Sequence, residues 1–331
     1  MLKVGLIGTG GIGRVHALSW TTMKDSVELV AIADVNTEQA RKVSEECGCK
    51  MYADGFEMLQ KENLDVVDIC LPTFLHADYV VRVMEYVKNI IVEKPICLYE
   101  EEAQRLLDAQ KKSGAFIQVG HVVRFMDDYK YLKELVDAGT YGKVVAGTFS
   151  RISPRPMWMR FHDDVNRTGT MALDLHIHDA DFVRYLMGGE PEDVQSWAVR
   201  DADGIVQHLR SAYRYGDVLL CAEGSWNYPA SFPFAQTFRV RLEKAAVVLD
   251  SAGLKVYPDE GEPYVPENEQ KMVMDLGINV SDLGPYLTEL RYFADTIISG
   301  GKGITTLAES VASFRLVQKE LALVGGAKLE K

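Results

Sequence analysis

The chain has 331 residues, 47% hydrophobic and 25% charged, with a formal net charge of −12. These values suit a globular protein of two domains, and the acidity disfavours nucleic acid as a partner because phosphate binding needs a basic field. No segment approaches the twenty apolar residues of a membrane helix, and the first predicted strand starts at residue 3, so we expect a cytoplasmic protein without a membrane or signal segment.

The first forty residues predict a dinucleotide site. A short apolar strand, Lys3–Ile7, leads into a glycine-rich turn and a helix, Arg14–Met23, and a second strand, Val27–Ala33, ends in Asp34. In this order, G-x-G-x-x-G seats a pyrophosphate at the helix N-terminus and the acid hydrogen-bonds the adenosine ribose. A plain tight turn is the alternative. The predicted cofactor contacts here are Gly8, Gly10, Gly11, Ile12, Gly13 and Asp34.

The residues after the second strand favour NAD over NADP. A carboxylate at Asp34 repels a 2′-phosphate, and Val35 and Asn36 supply no positive charge to hold one. Arg41 and Lys42 lie close enough along the chain to leave NADP as the second choice.

Up to residue 120, short apolar strands alternate with amphipathic helices. This alternation predicts βαβ crossovers and a doubly wound parallel sheet. We assign residues 1–121 to an NAD(P)-binding Rossmann domain. The remaining predicted elements of this domain are the strands Val66–Leu71, Asn89–Val92 and Ala115–Val119 and the helices His76–Val87 and Glu100–Lys112.

Residues 122–331 are assigned to a second α/β domain for substrate binding and oligomerisation. Consecutive strands with short polar turns predict an open, mostly antiparallel sheet, and residues 257–268 are predicted to form a loop. The sheet face that no helix covers is a candidate dimer or tetramer interface. The predicted helices are Asp127–Ala138, Met171–Met187, 286–298 and 305–323, and the predicted strands are Lys143–Arg151, Asp193–Arg200, Ile205–Tyr215, Val218–Trp226, Thr237–Leu242 and Ala246–Asp250.

Two segments follow strands of the parallel sheet and are expected to line the cofactor cleft, because ligands of such sheets bind at the carboxyl ends of the strands. Glu93 and Lys94 follow one strand, and the Lys94–Pro95 bond is a candidate cis bond. Lys94 is a candidate to exchange a proton with a substrate hydroxyl, or else a surface lysine in a loop. The other segment supplies Leu71, Pro72, Thr73 and His76, although His76 could simply cap the next helix.

Asp174 and His178 are four residues apart on a predicted helix and therefore share one face, which continues through Asp181 and Tyr185. A carboxylate one turn from an imidazole can fix its tautomer and stabilise its cation, as acid–base catalysis requires. A solvated ion pair on an exposed helix is the alternative.

Metal binding is disfavoured. The helical neighbours of His176 are apolar, so we expect a packed core histidine rather than a metal ligand paired with His178. Cys47 and Cys49 have no second pair at zinc-finger spacing and are expected to be unbound thiols.

The motifs together resemble the glucose–fructose oxidoreductase, inositol dehydrogenase and rhizopine-catabolism (Gfo/Idh/MocA) family along the whole chain. The resemblance departs at His121 and Val122–Val123, where many members carry Asn or Arg, and at the additional His176. The segments that carry it are Gly8-Thr9-Gly10-Gly11-Ile12-Gly13, Leu71-Pro72-Thr73-Phe74-Leu75-His76, Glu93-Lys94-Pro95, Gln118-Val119-Gly120-His121 with Arg124-Phe125, Asp174-x-x-x-His178 with Asp181, and Glu289-Leu290-x-x-Phe293.

The resemblance implies an NAD-dependent dehydrogenase that acts on a secondary alcohol of a sugar, sugar derivative or cyclitol. The family's acid–base roles map onto Lys94, Asp174 and His178, and its oligomers form through the C-terminal sheet. A glycosidase that uses NAD transiently and a dinucleotide-sensing regulator are the alternatives. His121, Arg124, Trp158 and Tyr286 are candidates to shape the substrate pocket, and each also suits a packing role.

Overall fold

The computed structural model describes residues 1–157, 164–266 and 283–326. It divides into two compact units, Met1–Val122 with Lys271–Val311, and Val123–Gln270 with Ala312–Lys331. The first division lies one residue from the boundary drawn from the sequence. The return of Lys271–Val311 to the first unit departs from the assignment of all residues after 121 to a second domain.

The first unit contains a parallel sheet of six strands in the order β3-β2-β1-β4-β5-β6. Every neighbouring pair is parallel, and β4 is buried along its whole length, as expected for a strand covered by helices on both faces. The predicted doubly wound sheet is confirmed. The strands are β1 Leu2–Ile7, β2 Val27–Ala33, β3 Lys50–Tyr52, β4 Val66–Ile69, β5 Asn89–Glu93 and β6 Phe116–Gly120.

Helices connect these strands because parallel neighbours need a crossover connection. The helices of this part of the chain are α1 Gly11–Thr22, α2 Thr37–Cys47, α3 Gly55–Lys61, α4 His76–Val83 and α5 Glu100–Ser113. Local signals fix their ends: the Asn36 and Asp54 side chains cap α2 and α3, and α2 and α5 end at left-handed glycines, Gly48 and Gly114.

The second unit contains a sheet of seven strands in the order β13-β12-β11-β7-β10-β9-β8. All neighbours are antiparallel except β7 and β10, which run parallel, so the prediction of an open, mostly antiparallel sheet is confirmed. The strands are β7 Val144–Pro154, β8 Asp193–Arg200, β9 Val206–Tyr215, β10 Val218–Tyr228, β11 Ala235–Leu242, β12 Ala245–Asp250 and β13 Gly253–Pro258.

One face of this sheet packs on helices through an aromatic core. Tyr129 and Phe182 meet edge to face at 4.8 Å between ring centroids, and Phe149 and Phe238 complete the cluster. The described helices of the second half of the chain are α6 Asp127–Asp137, α7 Val165–Thr168, α8 Ile177–Met187, α9 Gly284–Ser299 and α10 Leu307–Leu323. None of the described helices has the length and apolarity needed to cross a membrane.

The short helices α3 and α7 have no counterpart among the predicted elements, and two further segments differ from their predictions. The helix expected over Met171–Met187 begins with a π-helical segment, Ala172–His176, and becomes α-helical only at Ile177. The loop expected from residue 257 begins inside β13, which forms the edge of the sheet. Its last two positions, 267 and 268, lie outside the described residues.

Candidate cofactor and catalytic sites

The glycine-rich turn joins β1 to α1, and two of its glycines are required by the fold itself. Gly8 has a φ of +96°, and a Cβ there would lie 2.4 Å from the carbonyl oxygen of Cys70. A Cβ on Gly13 would lie 2.0 Å from the carbonyl oxygen of Gly8. Gly10 differs, because a Cβ there would meet no atom within 4 Å. The turn is therefore tight on its protein side and open at Gly10, as close approach of a pyrophosphate requires.

The N-terminus of α1 is arranged to accept an anion. Gly10 is its N-cap, no side chain caps the helix, and its first turn contains no acidic residue. Gly11 is exposed and Ile12 partly exposed. The first N–H groups and the positive end of the helix dipole are therefore not matched by a carboxylate of the helix itself.

Asp34 is fixed beside this turn. One carboxylate oxygen accepts the Thr9 backbone N–H at 2.7 Å and the Thr9 hydroxyl at 2.9 Å, and the other accepts the Asn36 N–H at 2.8 Å. The Gln39 amide donates to the Thr9 carbonyl at 2.7 Å, which ties α2 to the same turn. Asp34 remains partly exposed, and the oxygen that accepts the Asn36 N–H has a second lone pair for a ligand hydroxyl.

In the segment after β4, Leu71 and Thr73 are partly exposed and Pro72 is exposed, whereas His76 is buried. The His76 Nδ1 lies 2.8 Å from the Pro95 carbonyl oxygen and its Nε2 lies 2.6 Å from the Leu71 carbonyl oxygen. Burial lowers the pKa of His76, against the two carbonyl contacts that raise it. His76 therefore joins two loops through its ring, and it makes no side-chain capping bond to α4.

Lys94 follows the last residue of β5 and is partly exposed, and the Lys94–Pro95 bond is cis. The backbone N–H of Lys94 donates to the Glu93 carboxylate at 3.0 Å. A Cβ on Gly120 would lie 2.8 Å from that carboxylate, so the glycine at the end of β6 leaves room for the Glu93 side chain. Glu93 itself is buried and faces the interior of the first unit.

Asp174 and His178 share a face, as expected, although by a different backbone geometry. The π-helical segment places both at partly exposed positions, while every other residue from 171 to 184 is buried. Asp181 does not continue this face: it is buried and holds the Arg124 guanidinium at 2.8 and 2.6 Å. Because π-helical turns contain more residues than α-helical turns, positions beyond the segment are rotated relative to a regular helix.

His176 is a packed core residue, as its apolar neighbours predicted. Its Nε2 lies 2.7 Å from one oxygen of the buried Glu320, and the Tyr213 hydroxyl donates to the other at 2.7 Å. A Cβ on Gly224 would lie 2.7 Å from the His176 Cβ. His176, which lies between the two candidate catalytic residues in sequence, therefore packs the π-helical segment against β9 and β10.

Three of the four candidates for the substrate pocket lie among the described residues, and the side chains of all three are buried. Arg124 is buried in its ion pair with Asp181, and the His121 Nε2 lies 3.0 Å from the Ser310 hydroxyl. Tyr286 is 8% exposed, with its ring centroid 5.8 Å from that of His16. Trp158 lies outside the described residues. Arg124, His121 and Tyr286 therefore each have contacts inside the unit that contains them, and their place in a substrate pocket stays a prediction.

Sequence reasoning missed several buried partners. Glu289 and Glu320 come from the last two described helices, and Asp68 from the middle of the parallel sheet, and all three are fully buried acids. In the sequence, Glu289 stands out only as part of the Glu289-Leu290-x-x-Phe293 motif. An acid within an otherwise apolar helical stripe is the one signal that could have identified these residues as buried partners.

Comparisons with known proteins agree with this geometry. A model of the GFO/IDH/MocA oxidoreductase family, with an NAD-binding Rossmann fold, matches residues 2–121, and the model of that family's C-terminal domain matches residues 129–248. The chain is 31% identical over 318 residues to the scyllo-inositol 2-dehydrogenase (NAD(+)) of Bacillus subtilis, covering 92% of this chain and 89% of the relative.

Two further comparisons extend this result. The myo-inositol 2-dehydrogenase of Thermotoga maritima is 34% identical over 220 residues, which span 66% of this chain and 62% of that relative. The crystal structure of a probable dehydrogenase from Thermotoga maritima superposes with a TM-score of 0.78 at 26% identity and covers 98% of this chain and 97% of that one.

Proposed function

This chain belongs to the Gfo/Idh/MocA oxidoreductase family, and on that premise we propose that it transfers a hydride between nicotinamide and a secondary alcohol of a sugar, sugar derivative or inositol-like cyclitol. It is an NAD-dependent dehydrogenase of CH–OH groups. The observation that carries this conclusion is the nearly full-length similarity to an NAD-dependent inositol dehydrogenase, together with a glycine-rich turn that is sterically open at Gly10.

The cofactor contacts are assigned to the carboxyl ends of four strands of the parallel sheet, β1, β2, β4 and β5. Gly8, Gly10, Gly11, Ile12 and Gly13 seat the pyrophosphate, whose charge the N-terminus of α1 stabilises. Asp34 accepts hydrogen bonds from the adenosine ribose and repels a 2′-phosphate. Leu71, Pro72, Thr73 and the Glu93–Lys94 segment complete the proposed cofactor site at the carboxyl ends of β4 and β5.

The proton chemistry is assigned to three residues. His178 is the base that takes the hydroxyl proton, Asp174 orients its imidazole, and Lys94 polarises the reacting oxygen. The bound nicotinamide supplies the hydride acceptor. Partial exposure of Asp174 and His178 in an otherwise buried segment, and of Lys94 at a strand end, supports this assignment.

The proposal extends to domain roles, assembly and location. Residues 1–121 bind the cofactor, and residues 122–331 bind substrate and form a homodimer or homotetramer through the seven-stranded sheet. Support for the interface comes from large apolar side chains that are exposed on its strands, Val145, Trp197, Val199 and Leu219. Free thiols at Cys47, Cys49, Cys70 and Cys221 favour the reducing cytoplasm.

A panel of inositols, free sugars and aryl glycosides tests the function. Each compound is incubated with the enzyme and NAD, or NADP in parallel, while the absorbance of reduced nicotinamide is followed. We expect net NADH with at least one inositol or free sugar and a slower reaction with NADP. Release of the aryl group without net NADH would identify a glycosidase, and saturable NAD binding without turnover of any compound would identify a sensor.

A further inference from the structure

A cluster of titratable side chains lies inside the first unit, and only its Glu93 belongs to the proposed cofactor site. It consists of His16 on α1, Asp68 on β4, Cys70 just after it, Glu93 at the end of β5 and Glu289 on α9. His16, Asp68 and Glu289 are fully buried, and Glu93 is 8% exposed. Ligating atoms of His16, Glu93 and Glu289 all lie within 4.8 Å of one another.

His16 lies between two carboxylates. Its Nδ1 is 2.9 Å from Asp68, which also accepts the Trp20 indole N–H at 2.7 Å, and its Nε2 is 3.1 Å from Glu93. Burial lowers the pKa of His16, but Cys70 and Asp68 outweigh it, so the pKa stands well above its ordinary value. The protonated ring matches the charge of one carboxylate, which leaves one negative charge in the cluster before Glu289 is counted.

Glu289 has no such partner. Among the described residues, neither of its oxygens receives a hydrogen bond, although both are inaccessible to solvent. The groups that face it are Glu93, His16 and Asp68, so two of its three charged neighbours are anions. An ionised carboxylate without donors in such a place carries a large desolvation cost. Burial, and then repulsion by Glu93, raises the pKa of Glu289 well above its ordinary value.

We propose that Glu289 is a neutral carboxylic acid that donates its proton to the Glu93 carboxylate, directly or through one water molecule, and that it thereby positions Lys94. Glu93 is the link, because its carboxylate also accepts the backbone N–H of Lys94 at 3.0 Å, in the space that Gly120 leaves open. Two carboxyl groups that share one proton attract each other, whereas two carboxylates would repel. The positioning role rests on the proposed function of Lys94, but the protonation of Glu289 does not.

A divalent cation is the competing occupant, since the same three groups converge on one point. The surroundings of His16 favour the proton, because Asp68 and Glu93 lie beside its two ring nitrogens and both stabilise the positive charge of an imidazolium. The proton on His16 offsets one negative charge of Asp68 and Glu93, and the proton on Glu289 removes a third, so the cluster does not need a bound cation.

Infrared difference spectroscopy tests the protonation without any use of activity. At pH 7, the wild type minus Glu289→Gln spectrum is expected to contain the C=O stretch of a protonated carboxylic acid, and the control Asp295→Asn, an exposed acid on the same helix, is expected to lack it. A difference spectrum with only carboxylate bands would overturn the proposal. So would one equivalent of bound metal by elemental analysis in the wild type that is lost in Glu289→Gln.

Kinetics test the positioning role. Glu289→Gln keeps a neutral hydrogen-bond donor and is expected to retain kcat within about threefold. Glu289→Leu removes the donor and is expected to lower kcat about ten- to a hundredfold, with KM for NAD unchanged. Small misplacements of catalytic groups have effects of that size. Equal losses in both variants would overturn the role. If the wild type proves to turn over no sugar or cyclitol, the proposed function fails while the infrared result still decides the state of Glu289.

Discussion

At the level of single residues, local sequence patterns predicted which positions have a special backbone or chemical role better than they predicted which residues contact one another. The glycine spacing predicted which backbone positions lack room for a Cβ, because that requirement comes from the turn itself and from neighbours along the same βα unit. Glu289 and Glu320 show the opposite case. The histidines that lie beside them, His16 and His176, are more than a hundred residues away in sequence, and no local pattern specifies a contact at that separation.

Asp34 gives a prediction at this scale. Asp34→Ser removes a charge that hydrogen-bonds the ribose in the proposed complex, and such bonds to charged groups contribute about 1.5–3 kcal/mol. We expect the ratio of kcat/KM for NAD to that for NADP to fall about ten- to a hundredfold. Steady-state kinetics with both cofactors measure the ratio.

The matched control is Asp217→Ser, which removes an exposed acid from the turn between β9 and β10 and is expected to leave the ratio unchanged. An unaltered cofactor preference in Asp34→Ser would show that this carboxylate does not face the ribose.

At the level of elements, strand and helix types were predictable while one helix geometry was not. The spacing of Asp174 and His178 correctly put them on one face, but an i,i+4 argument assumes α-helical turns throughout. The segment Ala172–His176 is π-helical instead, and Asp181, which the same argument placed on that face, is buried in its ion pair with Arg124. The contacts of His176 with Glu320 and of Gly224 with His176 accompany this geometry, and both come from elements distant in sequence.

The seven-stranded sheet supports a second prediction. Leu219 is 52% exposed on β10, beside Cys221 and Val248 in a shallow apolar depression of about 380 Å³. If this face joins two copies, Leu219→Asp places a charge in an apolar interface and is expected to shift the sedimentation coefficient toward that of the monomer, with an unchanged circular dichroism spectrum.

Ile298→Asp is the control for this experiment, because Ile298 is 58% exposed on α9, in the other unit. It is expected to sediment like the wild type. If Leu219→Asp also sediments like the wild type, or if the wild type is itself monomeric, the sheet face is not the interface.

At the level of the whole molecule, the alternation of strands and helices was sufficient to predict one parallel and one mostly antiparallel sheet. The grouping of Lys271–Val311 with the first unit was not predictable, because the amphipathic pattern of α9 shows that it packs on something without showing on what. It is this return of the chain that brings Glu289 to His16 and Glu93.

The buried cluster makes stability depend on pH in a defined direction. The pKa of His16 is raised above its ordinary 6.5, so the stability that its cation contributes is present below that pH and is lost as pH rises through the higher folded-state value. The pKa of Glu289 in the folded protein is raised above its ordinary value of 4.5. At a pH between these two values, Glu289 is protonated in the folded state and ionised in the unfolded state, so the free energy of unfolding again falls as pH rises.

Thermal unfolding between pH 5 and pH 9 is therefore expected to show declining stability for the wild type, with a shallower decline for Glu289→Gln. One group that titrates in only one state changes the free energy of unfolding by about 1.4 kcal/mol per pH unit. Asp295→Asn is expected to follow the wild type. Parallel curves for the wild type and Glu289→Gln would mean that Glu289 titrates alike in both states.

The most direct test of the central claim compares Lys94→Ala and His178→Ala with the wild type in turnover and in NAD binding. If the two side chains carry the acid–base chemistry, each substitution lowers kcat roughly a hundred- to ten-thousandfold, while the dissociation constant for NAD measured by calorimetry stays nearly unchanged. Lys111→Ala, which removes an exposed lysine from α5, is expected to behave like the wild type. Full turnover in both Lys94→Ala and His178→Ala would contradict the account.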